Sequence, residues 1–203
     1  MKRRDLLKTS LAAAAAGGLA STVLRAQQAG APSGMPAPAV AKKPADPEPQ
    51  VNDIEKYPKC NYCGMDRARF HHSRMLLHYS DGLAEGVCSL RCAATSLTIN
   101  VGRGTKAIWV GDNASPAEVK PLVDAEKASF LVGSSIRGVM TRRSKVAYSI
   151  TEAAEASRVA NGGEVLDFDK TLLAAFTDIA ESVATSRKTR EERLKRAQEK
   201  QDK

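Results

Sequence analysis

No stretch of this 203-residue chain is long and apolar enough to read as a membrane span. The longest candidate, Leu11 to Leu24, is Ala-rich, too short and too weakly hydrophobic. Missing too are paired catalytic carboxylates, a hydrolase arrangement and a phosphate-binding glycine loop, since Gly102-Arg-Gly104 alone is too weak a signal for one. Net charge is absent where it would matter most. The formal +8 comes from residues 1–31 (five basic, one acidic) and residues 186–203 (eight basic, four acidic), while residues 32–185 carry eighteen of each sign. A basic protein invites a nucleic-acid reading, but here the folded part is neutral, and only a contact of the tail with phosphate or anionic lipid survives. Histidine and cysteine are scarce, at three and four residues.

The two ends read as non-domain sequence. Arg3-Arg4 with Leu6, Leu7 and Lys8, followed by the Ala-rich run, resembles a twin-arginine export signal, so residues 1–31 are expected to direct the chain to the periplasm, either cleaved between Ala26 and Ala31 or retained as a tether. Residues 32–58 hold seven of the nine prolines among Ala, Gly and Gln and are expected to be a disordered linker. Residues 186–203 contain one large apolar residue, Leu194, and are expected to be a charged helical or disordered tail.

Between them, residues 59–185 predict a small single α+β domain of repeated strand-strand-helix units. Met75–Tyr79 and Leu83–Cys88 flank Asp81-Gly82, a hairpin signal, and Ser89 is placed to cap a helix from Leu90 to about Asn100. A second passage has strands at Lys106–Val110, Ser129–Val132 and Lys145–Tyr148, a turn from Asp124 to Lys127, and a helix after Thr151 that ends at Asn161-Gly162-Gly163. Glu164–Phe168 reads as a last strand and Thr171 to about Val183 as a helix with Leu172, Phe176, Ile179 and Val183 on one face. Trp109, Tyr79, Phe130, Tyr148, Phe168 and Phe176 are expected in the core.

The chemistry lies in Cys60-x-x-Cys63 and Cys88-x-x-x-Cys92, two pairs separated by the predicted hairpin. The first sits on a turn with Gly64. The second sits where a strand becomes a helix, and its i, i+4 spacing puts both thiols on one helical face. Three readings compete. A disulfide framework fits an exported chain, although a domain with a sizeable core has little need of one. A redox dithiol wants its first cysteine at a helix N-terminus, whereas Cys60 precedes the first strand. Metal binding is the third, and softness selects the metal: zinc is satisfied by thiolates and imidazoles, whereas copper(I) favours thiolate with thioether. Met65, two positions after Cys63, tips the site toward copper(I), although a methionine also serves as core filler. His71, His72 and His78 all lie between the cysteine pairs, and His72 is the candidate ligand among them because His78 alternates into a strand.

Cys60-Asn-Tyr-Cys-Gly-Met-Asp66, Phe70-His-His-Ser-Arg-Met75, Asp81-Gly82, Cys88-Ser-Leu-Arg-Cys-Ala-Ala94, Asp124–Ala128, Phe130–Gly133 and Gly138-Val-Met140, in that order, resemble the NosL family, whose founding members are exported copper-binding accessory proteins of nitrous-oxide reductase maturation. The resemblance implies a NosL-like fold of repeated strand-strand-helix units and copper(I) held by thiolate and thioether and passed to a partner. It makes Cys63 and Met65 the leading ligands and Met140 a group that closes over the metal from the second half. This chain has Gly138-Val-Met-Thr141 where many members have Gly-Pro-Met-Gly, and it has the additional Cys88/Cys92 pair, which makes a four-thiolate site available.

The sequence therefore predicts a non-enzymatic, exported copper(I) metallochaperone with Cys60, Cys63, Met65, Cys88, Cys92, Met140 and His72 as candidate ligands and zinc as the alternative ion. Its partner would be an envelope protein that delivers or accepts copper, such as nitrous-oxide reductase, with membrane association through the N-terminal segment. The rival readings are a periplasmic thiol-disulfide oxidoreductase and a zinc-stabilised interaction module.

Overall fold

A computed structural model describes residues 45–201. The expected signal, residues 1–31, and the linker up to residue 44 lie outside the described residues. No described helix is long and apolar enough to cross a membrane.

The first half is a hairpin of β1 (Met75–Tyr79) and β2 (Ala84–Val87), then helix α2 (Leu90–Ile99), then β3 (Thr105–Gly111). Both β2 and β3 pair antiparallel to β1, Met75 facing Val87 on one side and Val110 on the other. The second half repeats this order: β5 (Ser129–Val132), β6 (Lys145–Tyr148), α3 (Thr151–Asn161) and β7 (Glu164–Leu166), with β6 and β7 antiparallel on either side of β5. The strand-strand-helix repetition expected from the sequence is present, and each unit closes with a third strand. A short strand β4 (Leu122–Asp124) adds to the edge of β3. The turn expected from Asp124 leaves no strand there, three residues being too few to show a period.

One apolar core joins the halves. Met75, Leu77 and Tyr79 of β1, Ile108 and Val110 of β3, and Ala93 and Ala94 of α2 meet Phe130, Val132, Ala147, Phe168 and Ala175. Helix α3 covers the far face of the second sheet, where Ala154 packs with Leu131, Val146 and Tyr148. Helix α4 (Phe168–Gln201) packs its first turns on α2 and β5, then continues as exposed helix through the charged tail. Its Phe176 is 39% exposed, so this ring is a surface residue and not the core residue expected. The expected stripe is displaced: Leu172 and Ile179 are half-buried, Val183 is exposed like Phe176, and Thr171 and Ala175 are the residues the helix turns fully inward. Trp109 is half-buried and stacks on His78 of the neighbouring strand, 6.3 Å between ring centres.

The outer face of the first sheet is closed by sequence that composition assigns to the linker. Pro49 is fully buried, and the short helix α1 (Asp53–Lys56) buries Asp53. That carboxylate holds two arginines from the segment ahead of β1, Arg67 Nη2 at 2.8 Å and Arg74 Nε at 3.0 Å. The expected boundary at residue 58 is therefore corrected: the packed domain extends back at least to Pro49. Proline-rich composition predicts an unpacked chain when apolar burial is the only resource, and here a buried ion pair supplies the attachment.

Arg67 has no solvent exposure. Besides Asp53, it donates to the carbonyls of Asp53 (2.9 Å), Tyr57 (2.7 Å), Met75 (3.1 Å) and Val87 (3.3 Å). Gly86 makes room for it, because a Cβ there would lie 2.7 Å from the guanidinium carbon and 2.5 Å from Tyr57 Cβ. Removing one partner of a buried ion pair strands the other charge. Asp53→Ala is expected to lower stability by about 3–5 kcal/mol in urea unfolding. Asp66→Ala, which removes the exposed Lys59 pair, should leave the midpoint nearly unchanged.

Candidate metal centre

Cys60 and Cys63 occupy a tight turn. The Gly64 N–H donates to the Cys60 carbonyl (2.9 Å) and the Cys60 N–H to the Met65 carbonyl (2.8 Å), while Lys59 and Asp66 form an antiparallel bridge at its base. Gly64 reverses the chain with φ at +73°, a conformation a side chain would strain. Tyr62, in the middle of the turn, donates to Glu85 of β2 at 2.6 Å, and Ser96 of α2 donates to the same oxygen. The turn is thereby fixed to both elements that present the second cysteine pair.

Cys88 ends the hairpin and Cys92 lies in the first turn of α2. Ser89 is the helix N-cap, as the sequence suggests, but its hydroxyl makes no capping bond to the helix. It accepts instead from the Cys88 thiol at 3.7 Å. The first turn of α2 carries no acidic residue, so its amides and dipole favour negative charge at the thiols. Arg67 bonds the carbonyl of Val87, the residue before Cys88, and its own segment carries Cys60 and Cys63. One side chain thus sets the distance between the two pairs.

All four sulfurs lie within 4.8 Å of one another. Cys63 and Cys88 are 3.4 Å apart and Cys88 and Cys92 3.8 Å. No disulfide joins them. Four thiolates at about 2.3 Å from a tetrahedral ion would have edges of about 3.8 Å, so the residues present fit a thiophilic metal with little adjustment. Cys60, Cys88 and Cys92 are 3%, 0% and 2% exposed and belong to the core, whereas Cys63 is half-buried and packs against it.

The cluster is also built to keep its first negative charge. The thiols of Cys88 and Cys92 bond the Cys60 sulfur and hold it well below the usual thiol range against the cost of burial, and the backbone N–H groups of Tyr62 and Cys63 add to this. Its bond to Cys60 pushes the Cys88 thiol up to about 12, and Cys60, Cys88 and burial together raise Cys92. Burial pulls the Arg67 guanidinium below its ordinary value, and the charges of Asp53 and of a Cys60 thiolate pull it back up. The buried cation and the thiolate support one another.

Of the other predicted ligands, Met65 is half-buried against the core that contains Cys60, Cys88 and Cys92. His72 lies outside the thiol cluster. Its ring packs edge-on against His71, and burial, with His71 adding, keeps it below the usual imidazole range. Met140 is 40% exposed at φ +62° and lines a cavity of about 880 Å³ shared with Arg91, the residue before Cys92. Sequence reasoning missed Arg67, Arg74 and Asp53, the residues that fix the site. Their only signal was a charge pattern that reads as surface.

The protein is thus a small α+β domain whose core closes around four converging thiols that could hold a metal ion. The NosL family model matches residues 50–175, and the chain belongs to the NosL family. Solved structures that resemble it include two NosL proteins. The crystal structure of the copper chaperone NosL from Shewanella denitrificans is 27% identical, covering 55% of this chain and 87% of that one with a TM-score of 0.48. The solution NMR structure of apo-NosL from Achromobacter cycloclastes is 21% identical, covering 47% and 82% with a TM-score of 0.34. No curated protein matches.

Exposure orders the reactivity of the cluster. Limiting iodoacetamide on the reduced, metal-free chain is expected to modify Cys63 first by peptide mass spectrometry, with Cys60, Cys88 and Cys92 following only after unfolding. Equal labelling of all four in the native state would contradict the buried arrangement.

Proposed function

We propose that this protein is a non-catalytic metallochaperone of the cell envelope, carrying copper(I) as cargo on its cysteines and handing it to an acceptor. The observation that supports this most is the asymmetry of the cluster: four sulfurs within 4.8 Å of one another, three buried and Cys63 only half-buried. Copper(I) is soft and tolerates low coordination, so an incoming thiolate, thioether or imidazole can bind before Cys63 leaves. Cys60, Cys88 and Cys92 retain the ion meanwhile. Met65 and Met140 are the thioethers of this chain for that exchange, and His72 is a reserve ligand of the neighbouring turn.

Membership of the NosL family supports copper as the cargo, with nitrous-oxide reductase as the acceptor the family resemblance implies. Export through the Arg3-Arg4 signal belongs to the same proposal. The four-sulfur geometry favours one second reading, a zinc-stabilised interaction module, because zinc is satisfied by four thiolates.

Competition titration separates the two. The reduced, metal-free chain, titrated with copper(I) against bicinchoninate, is expected to hold one ion. Cys88→Ser should weaken it by about a hundredfold, about 2.7 kcal/mol, and Met65→Ala by about tenfold. Tight zinc binding with copper(I) surrendered to the competitor would establish the zinc module instead.

A further inference from the structure

Beside the thiol cluster, the second half of the domain forms a concave face of about 880 Å³ between the 134–143 loop, the first turn of α2 and the middle of α4. Arg91, Arg137, Arg142 and Arg143 line it against two carboxylates, Asp178 and Glu181. Asp178 is already committed, since Arg143 Nε donates to it at 2.6 Å and Lys145 holds its other oxygen. The guanidiniums of Arg91, Arg137 and Arg142 have no hydrogen bond or ion pair among the described residues. In a domain of balanced formal charge, three unpaired guanidiniums therefore converge from two elements on one concavity.

The loop that carries two of them is held in place. Ser134 and Ser144 bond one another, the Gly133 N–H donates to the Ser144 carbonyl, and Thr141 donates to the Arg143 carbonyl. Gly138 permits the tight path, because a Cβ there would meet the Thr141 carbonyl oxygen at 2.4 Å. A pinned loop presents its arginines with less ordering entropy left to lose on binding. Guanidiniums are the preferred partners of carboxylates, which they bind as planar forks.

We propose that this face docks an acidic polypeptide segment of the protein that exchanges metal with the cluster. The cavity is far larger than a single oxyanion, and its charge is spread over three side chains, which matches successive carboxylates along a chain. Arg91 lies between Cys88 and Cys92, so a segment seated there runs beside the helix turn that carries two of the thiols. The identity of the occupant as a metal-exchange partner rests on the proposed function; the acidic character of the occupant rests on the arginines alone.

A fluorescein-labelled polyglutamate peptide serves as the probe, with anisotropy read on the reduced, metal-free full chain. Arg91→Glu, Arg137→Glu and Arg142→Glu together are expected to weaken binding by at least about tenfold. Neutralising Arg187, Arg190, Arg193 and Arg196 of the exposed tail to Gln should have little effect. The opposite ranking would assign the binding to the tail and overturn the proposal. Displacement of the peptide by inorganic phosphate at equal charge would reduce the face to an oxyanion site, and no binding by the parent would remove it. Copper(I) stoichiometry is measured on the same variants. Its loss in the parent would count against the chaperone reading alone, whereas its retention in the triple arginine variant, with peptide binding gone, supports a docking face separate from the cluster.

Discussion

The guanidinium of Arg67 is the constraint on which the rest of the first half depends. It reaches the start of β1 through Met75, the end of β2 through Val87 and helix α1 through Asp53 and Tyr57, with no solvent contact of its own. Burying an arginine is expensive, and the surrounding carbonyls and Asp53 offset that cost without making the pair a large source of net stability. What the arrangement supplies is definition. A hydrophobic side chain in that space could fill volume, but it could not fix Val87, and hence Cys88, relative to the turn that carries Cys60 and Cys63.

The electrostatics follow from the same arrangement. Arg67 and Arg74 share the single carboxylate of Asp53, and the Cys60 sulfur, whose ionisation the Cys88 and Cys92 thiols favour, helps to hold the charge of Arg67 in return. The N-terminus of α2 acts in the same direction. A cluster that is anionic before metal arrives does not have to lose every proton at the moment of binding, which lowers the barrier to loading. Because three of its sulfurs are also core residues, an ion bound by the cluster would be tied directly to the core.

Most of this fold is legible in the sequence wherever local pattern decides the outcome. The Asp81-Gly82 hairpin, the strand at Phe130 and the helix ending at Gly162 follow from turn chemistry and periodicity, and the two cysteine spacings point to convergence of the thiols. The failures share a physical cause. Asp53, Arg67 and Arg74 are charged, so pattern assigns them to the surface, and only tertiary pairing makes their burial tolerable. The prolines before Asp53 mark a segment unable to build its own core, and they carry no sign that it borrows one from the first sheet. Phe176 shows the converse: the helix is where the period puts it, but the face that meets the core runs through Thr171 and Ala175 and not through Phe176 and Val183. Met65 and Met140 sit where the turn and the glycine-containing loop put them, and chemistry rather than backbone decides their use.

The exposure of Cys63 gives the cluster a direction, and the coordination preference of the ion decides whether that direction can be used. Zinc held by four thiolates has no ligand to spare, so detaching Cys63 leaves an unsatisfied ion beside an apolar core. Copper(I) is stable with two or three soft ligands, so Cys60, Cys88 and Cys92 can keep it while Cys63 exchanges with an incoming group. The same four sulfurs are thus a closed structural site for one metal and a transfer site for the other. A protein built only to be stabilised by metal would gain from burying the fourth cysteine with the rest. Leaving it half-buried on a glycine turn, and not enclosed with the other three, suits the proposed transfer.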